Sequence, residues 1–123
     1  MYRLSVLDDF SAAHQLPGTG GDCERLHGHN WKVQVQVYSE TLNQHGMVID
    51  FKDLKALTKE VLKELDHRFL NELSYFQTLP PTAENLARHI FQRIASALPP
   101  GNVRLQRICI WESETSFASY EED

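Results

Sequence analysis

Residues 27–38 read HGHNWKVQVQVY and carry the clearest structural signal of the chain. Every second side chain from position 31 onward is apolar, which predicts a β-strand with one buried face. The apolar positions are Trp31, Val33, Val35 and Val37. This strand opens on a His-Gly-His triplet, so a pair of imidazoles is expected at one end of a buried sheet face.

A first strand is predicted upstream, over residues 2–14. One of its period-2 phases is mostly apolar and ends on a histidine. That phase contains Tyr2, Leu4, Val6, Phe10, Ala12 and His14. Asp8 interrupts the phase, so a bulge or bend is expected there. Residues 17–22, rich in glycine, predict the loop between the two strands.

Two helices and a hairpin follow. Asp50 can cap a helix over about residues 51–65, and Thr82 one over about residues 82–98. Residues 103–112 and 115–120 predict a β-hairpin. The order β-β-α-α-β-β indicates one α+β domain spanning residues 1–123, with a four-stranded antiparallel sheet and both helices on one face. The open sheet edges are compatible with a homo-oligomer that pairs strands between subunits.

Composition narrows the functional classes. The chain has 123 residues, 41% of them hydrophobic, and a net charge of −5, which argues against a general nucleic-acid binder. No apolar run approaches the roughly 20 residues that span a bilayer, and no signal peptide is visible. Cys23 and Cys109 lie in different settings and are expected to be reduced thiols. A soluble, cytoplasmic protein is expected.

The histidines carry the chemistry. His27 and His29 are two residues apart, so on an extended backbone their side chains point to the same side. His14 ends the other strand, in the phase of its apolar face. Three imidazoles at adjacent strand ends suit Zn²⁺ and leave a fourth position open, as in catalytic sites. A lone histidine usually has no ligand role. We therefore interpret His45 as a turn residue and His89 as a surface or packing residue of a helix.

The role of Cys23 has two interpretations. It precedes His27 by four residues, and a thiolate there would complete a structural zinc site. Alternatively it is a base or nucleophile beside the metal, whose charge would lower the pKa of the thiol. Spacing alone leaves both open.

Two acidic positions are further candidates. Asp66 and His67 follow the first helix, where a turning chain would let them meet and transfer protons. A histidine favoured by the helix dipole is the competing interpretation. Glu112 ends an apolar run and would be costly to bury alone, but could bind the amino and imino donors of a pterin or guanine ring. If the strand ends at the surface, Glu112 needs no function.

Taken together, these features resemble the 6-pyruvoyl-tetrahydropterin synthase family, and most of all its bacterial 6-carboxy-tetrahydropterin synthase branch. The similarity runs through residues 10–14, 23–29, 46–51, 65–67 and 81–85, and through Glu112 with Tyr120. Glu114 offers a competing register, but the eight-residue spacing to Tyr120 favours Glu112. The resemblance implies a T-fold whose subunits join their sheets into a barrel, commonly as a homo-hexamer with active sites between subunits.

The resemblance also implies roles for individual residues. His14, His27 and His29 would bind zinc, Cys23 would be the base, and Asp66 with His67 would relay protons. Glu112 would anchor a pterin, with help from Thr82 and Glu84. The implied reaction converts 7,8-dihydroneopterin triphosphate to 6-carboxy-tetrahydropterin, releasing acetaldehyde and triphosphate, for 7-deazaguanine (queuosine) biosynthesis.

Three alternatives remain at this point. The same fold and metal would serve a 6-pyruvoyl-tetrahydropterin synthase, which eliminates triphosphate without cleaving the side chain. A non-catalytic protein would hold a structural zinc with Cys23 and the three histidines. A zinc hydrolase acting on a purine-like ring is less favoured, because no dedicated glutamate base lies beside the histidine pair.

Overall fold

Two long strands form the centre of the sheet. A computed structural model describes residues 1–122, in which β1 (Tyr2–His14) pairs antiparallel with β2 (His27–Ser39). The register is continuous from the pair Tyr2 and Ser39 to the pair His14 and His27. The predicted strands are confirmed, and two of the three candidate zinc ligands lie directly opposite each other.

The sheet has five strands, where the sequence predicted four. The strand that was not predicted is β3 (Arg68–Phe69). The predicted hairpin is confirmed as β4 (Arg104–Trp111) and β5 (Phe117–Tyr120). The strand order is β3-β1-β2-β4-β5, and all pairs are antiparallel except β3 with β1, which is parallel. A two-residue strand shows no hydrophobic period, so β3 could not be predicted from alternation.

The two helices form where their caps predict them. Helix α1 (Phe51–Leu62) begins at Asp50, whose side chain accepts a hydrogen bond from the Lys52 N–H. Helix α2 (Ala83–Ala97) begins at Thr82. The predicted C-terminus of α1 near residue 65 is wrong by three residues. The chain tightens after Leu62 and turns Leu65 into the core, where that side chain is fully buried.

The core lies between one sheet face and the helices. The four alternating apolar residues of β2 are fully buried, as predicted, and they pack in one cluster with residues from both helices. The helical contributors include Leu54, Val61, Leu86, Ile90 and Ile94. Three short 3₁₀ segments, Gly21–Glu24, Leu70–Glu72 and Ser74–Phe76, complete the secondary structure of the described residues.

The expected irregularity at Asp8 is wrong. Asp8 pairs with Val33 in unbroken register, and its carboxylate lies 3.6 Å from the ammonium of Lys59 on α1. The ion pair with Lys59 therefore allows Asp8 to occupy a position on the otherwise apolar face of β1. The irregularity lies in β4 instead, where Gln106 has no partner between the pairs Gln36–Arg107 and Val37–Leu105.

Both cysteines are free thiols, with Cys23 exposed and Cys109 buried. No helix within residues 1–122 has the length and apolarity needed to cross a membrane. The short β3 pairs only with Ala12 and Ala13 of β1. Most of that edge of β1 therefore has no strand neighbour within the described chain, as the prediction of open edges requires.

Candidate metal centre

Three imidazoles meet where β1 ends and β2 begins. His14 and His27 lie opposite each other on the two strands, and His29 is two residues further along β2, on the same face of the sheet. The Nε2 atoms of His14 and His27 are 2.8 Å apart, and the His29 ring centre lies about 5 Å from both rings, at 5.1 Å from His14 and 4.8 Å from His27. The expected convergence of the three histidines is therefore present.

A carboxylate joins the three histidines. Glu112 directly follows β4, the strand beside β2, and its Oε1 lies 2.8 Å from His29 Nε2 and 3.5 Å from His14 Nε2. The candidate ligand atoms of the four residues all lie within 4.8 Å of one another. The family resemblance implied a substrate-binding role for Glu112, and the sequence did not predict that its carboxylate lies among the histidines.

The tautomers of two imidazoles are set by backbone carbonyls. His14 Nδ1 lies 2.8 Å from the Pro81 oxygen, and His27 Nδ1 lies 2.7 Å from the Arg25 oxygen. A carbonyl only accepts hydrogen bonds, so each Nδ1 carries a proton, and in the neutral imidazole the Nε2 then presents a lone pair. Two lone pairs facing each other at 2.8 Å repel, unless a cation binds both.

His29 provides the second indication of a cation. Its Nε2 is buried and has no hydrogen-bond partner of suitable geometry within residues 1–122, although the Glu112 oxygen is near. The alignment of this pair is poor for a hydrogen bond, so it is a short polar contact rather than a directed hydrogen bond. Buried polar atoms without partners are rare. Three imidazole nitrogens and a carboxylate oxygen are a donor set that suits zinc.

Burial keeps the imidazoles in the form that binds metal. The His14 side chain is only 1% exposed, and this burial lowers its pKa despite the opposing effect of the Pro81 carbonyl. Burial also lowers the pKa of His29, more than the nearby Glu112 carboxylate raises it. A lowered pKa favours the neutral imidazole, which is the ligating form.

Trp31 fixes two of the rings from below. Its indole is fully buried and packs edge-on against His14 at 5.1 Å and His29 at 5.0 Å between ring centres. The indole N–H points to the Ala12 carbonyl, 3.3 Å away. The alternation that identified Trp31 as a core residue thus also identifies a support of the metal centre.

Asp66 and His67 lie together, beyond the end of α1. The Asp66 Oδ2 is 3.0 Å from His67 Nδ1, while its Oδ1 accepts a hydrogen bond from the Ser11 N–H. This backbone hydrogen bond is the main reason that the pKa of Asp66 is lowered. The helix ends at Leu62, so its dipole does not account for His67.

The backbone of His67 presents its imidazole to solvent. His67 has a φ of 59°, which is uncommon outside glycine, and its N–H donates to the Ser11 carbonyl at 2.6 Å. Its side chain is 82% exposed. The hydrogen bonds that His67 and the Asp66 side chain make to Ser11 therefore hold this left-handed residue in place, with its exposed ring beside Asp66.

The thiol of Cys23 is not part of the metal-ligand group that residues 1–122 form. Cys23 is exposed on the short helix Gly21–Glu24, and Glu112 supplies the fourth donor instead. Within one chain, the geometry gives no support to Cys23 as a ligand. Cys109 is a poor candidate for any thiolate role, because burial raises its pKa.

The two other predicted substrate residues lie at the start of α2. The hydroxyl of Thr82 accepts a hydrogen bond from the Asn85 N–H at 3.1 Å, so it caps the helix. Glu84 is exposed in the first turn. The sequence does not reveal that the Arg25 and Pro81 carbonyls contact the histidines, because every residue has a carbonyl and no side-chain pattern distinguishes these two.

Comparison with known proteins identifies the family of the chain. The sequence model of the 6-pyruvoyl tetrahydropterin synthase family matches residues 3–123. The chain belongs to this family. The resemblance that the sequence motifs suggested is thereby confirmed.

Individual relatives in this family cover nearly the whole chain. A 6-carboxy-5,6,7,8-tetrahydropterin synthase of Haemophilus influenzae is 33% identical over 99% of this chain and 100% of its own length. One of Synechocystis with the same name is 40% identical, over 90% of this chain and 86% of its own. A dihydroneopterin monophosphate aldolase of Pyrococcus furiosus is 41% identical, over 91% and 87% respectively.

A solved structure supports the fold. The 6-pyruvoyl tetrahydropterin synthase of Caenorhabditis elegans superposes with a TM-score of 0.89 at 30% identity, covering 99% of this chain and 96% of that one. The predicted T-fold is confirmed, with the fifth strand as the one difference in strand count.

Proposed function

We propose that this chain is a zinc-dependent 6-carboxy-5,6,7,8-tetrahydropterin synthase of queuosine biosynthesis. The observation that carries the proposal is the convergence of His14, His27, His29 and Glu112 on one point at the end of the sheet. Relatives named for this reaction support the choice of branch. We further propose that the chain is one T-fold domain that works in the cytoplasm.

The metal would be held by the imidazole nitrogens of His14, His27 and His29. Bound zinc would supply Lewis-acid chemistry, polarising the hydroxyl and carbonyl oxygens of a pterin side chain and acidifying the neighbouring C–H groups. The Pro81 and Arg25 carbonyls hold two of the rings in the ligating tautomer. These two hydrogen bonds, of which the one between His14 and Pro81 is buried, would keep the donor atoms oriented for metal binding.

Proton transfer is assigned to residues outside the metal-ligand group. Cys23 is the proposed base, because its thiol is exposed and a nearby cation would favour the thiolate. Asp66 orients the His67 imidazole at 3.0 Å, and this pair would relay the proton. In a homo-hexamer with sites between subunits, Cys23, Asp66, His67 and Glu112 need not come from the same chain.

Substrate recognition is assigned to Glu112, Thr82 and Glu84. The Glu112 side chain is 34% exposed beside the histidines, where its carboxylate can accept hydrogen bonds from pterin amino and imino groups. Thr82 and Glu84 lie at the start of α2, next to the Pro81 carbonyl that contacts His14. A pterin bound by these residues would place its side chain over the metal.

The proposed overall reaction balances when one water is consumed. Triphosphate leaves after a proton is removed from the side chain, and tautomerisation produces the carbonyl that allows carbon–carbon cleavage. Acetaldehyde carries away two carbons, and water supplies the oxygen that makes the remaining carbon a carboxylate. The pyruvoyl alternative stops before that cleavage.

Product analysis tests this proposal. Zinc-loaded protein is incubated with 7,8-dihydroneopterin triphosphate and, separately, with the monophosphate, with and without a chelator. We expect acetaldehyde and 6-carboxy-tetrahydropterin from the triphosphate alone, and loss of both products with chelator. Accumulation of a 6-pyruvoyl product would instead assign the alternative reaction, and cleavage of the monophosphate only would assign an aldolase. A zinc-loaded protein inert to both would indicate a structural site.

A further inference from the structure

The segment that leads into α2 contains a compact hydrogen-bond network next to a metal ligand. Two donors reach the Pro80 carbonyl, namely the Thr82 N–H at 2.9 Å and the Asn85 side-chain amide at 2.9 Å. The Thr82 hydroxyl in turn accepts the Asn85 N–H at 3.1 Å. We call these residues, Pro80, Pro81, Thr82 and Asn85, the α2 lock.

The α2 lock controls one bond to the metal centre. The Pro81 carbonyl, which His14 Nδ1 contacts at 2.8 Å in a buried setting, belongs to the same peptide unit as the Thr82 N–H. That unit is planar and all peptide bonds of the described chain are trans, so its C=O and N–H point in opposite directions. Holding the Thr82 N–H on Pro80 therefore also fixes where the Pro81 oxygen points.

We propose that Asn85 and Thr82 are positioning residues of the metal centre, acting through the Pro81 carbonyl on His14. This inference rests on the proposed function, since it requires that His14 binds metal. The Asn85 side chain donates a hydrogen bond to the Pro80 carbonyl and so joins Pro80 to the first turn of α2. The Thr82 hydroxyl accepts a hydrogen bond from the Asn85 N–H and so holds Asn85 next to Thr82. The fixed Pro81 oxygen then keeps the proton on Nδ1 and the lone pair on Nε2 of His14.

The α2 lock acts on a histidine through the ring nitrogen that does not bind the metal. Carbonyls that accept from the non-ligating nitrogen of a histidine fix its tautomer and orientation, and disturbing them lowers metal affinity by roughly 10- to 100-fold. Here the carbonyl itself cannot be removed by substitution. The side chains that hold it, Asn85 and Thr82, can be.

The test measures zinc affinity by competition with a chromophoric chelator. We expect Asn85→Ala to weaken zinc binding about 10-fold. Thr82→Ala should weaken it in the same direction, and Thr82→Ser, which keeps the accepting hydroxyl, should restore it. Asn102→Ala is the matched control, because the Asn102 amide donates a hydrogen bond to the Thr41 hydroxyl at the surface, and its loss should leave zinc affinity unchanged.

A second measurement determines the His14 tautomer in the metal-free protein. Nitrogen NMR of the metal-free protein should show His14 protonated at Nδ1 in the wild type and a mixture of tautomers in Asn85→Ala. Asn85→Ala that is folded, with wild-type zinc affinity and an unchanged His14 tautomer, would overturn the inference while leaving the proposed function intact. A wild-type chain that binds no zinc would overturn both.

Discussion

His27→Ala is expected to lower zinc affinity by roughly a hundredfold or more and to abolish turnover. Structural zinc sites bind the ion with about 10–16 kcal/mol, so loss of one ligand among three or four removes about 3 kcal/mol or more. His27 is half-buried. The hydrogen-bonding partners of its ring are His14 in the metal centre and the Arg25 carbonyl. The substitution should therefore remove a ligand with little effect on the fold, as circular dichroism of the metal-free variant would show.

His45→Ala is the matched control for this change. His45 is an exposed histidine in the turn before α1 and belongs to no ligand group in residues 1–122. Its zinc affinity and turnover should equal those of the wild type. If His27→Ala kept wild-type zinc affinity, the cluster would not be the zinc site.

Cys23→Ala is expected to keep zinc bound while turnover falls by roughly 10²- to 10⁴-fold, the contribution of a positioned general base. The physical reason is that the thiol lies outside the donor group that Glu112 completes. Zinc content of the purified variant, together with its rate on the triphosphate substrate, measures both quantities.

The outcome separates two interpretations of the same thiol. A structural site of one cysteine and three histidines predicts that Cys23→Ala loses zinc and becomes less stable. Cys109→Ala provides the control, since Cys109 is buried on β4 and takes no part in the proposed chemistry. That variant should retain zinc and turnover even if the lost packing reduces its thermal stability.

The sequence predicts the metal centre well because strand phase determines which side chains meet. His14 shares the phase of Phe10 and Ala12, and His29 shares the phase of Trp31, so all are on the helix-facing side of the sheet. Once the two strands pair in register, convergence follows from the alternation alone. Apart from this pairing of β1 with β2, no tertiary information is needed for this part of the site.

Other parts of the site depend on contacts that period and propensity do not encode. Glu112 reaches His29 because β4 pairs with β2 in the middle of the sheet, an order that local patterns do not specify. The left-handed backbone of His67 is imposed by hydrogen bonds to Ser11, which is distant in sequence.

The zinc-edge X-ray absorption spectrum of the reconstituted protein tests the central claim most directly. We predict one zinc per chain, surrounded only by nitrogen and oxygen atoms at about 2.0–2.2 Å, with the multiple-scattering pattern of three imidazoles. A sulfur neighbour at about 2.3 Å would contradict the account, because it would make Cys23 a ligand and remove the proposed base.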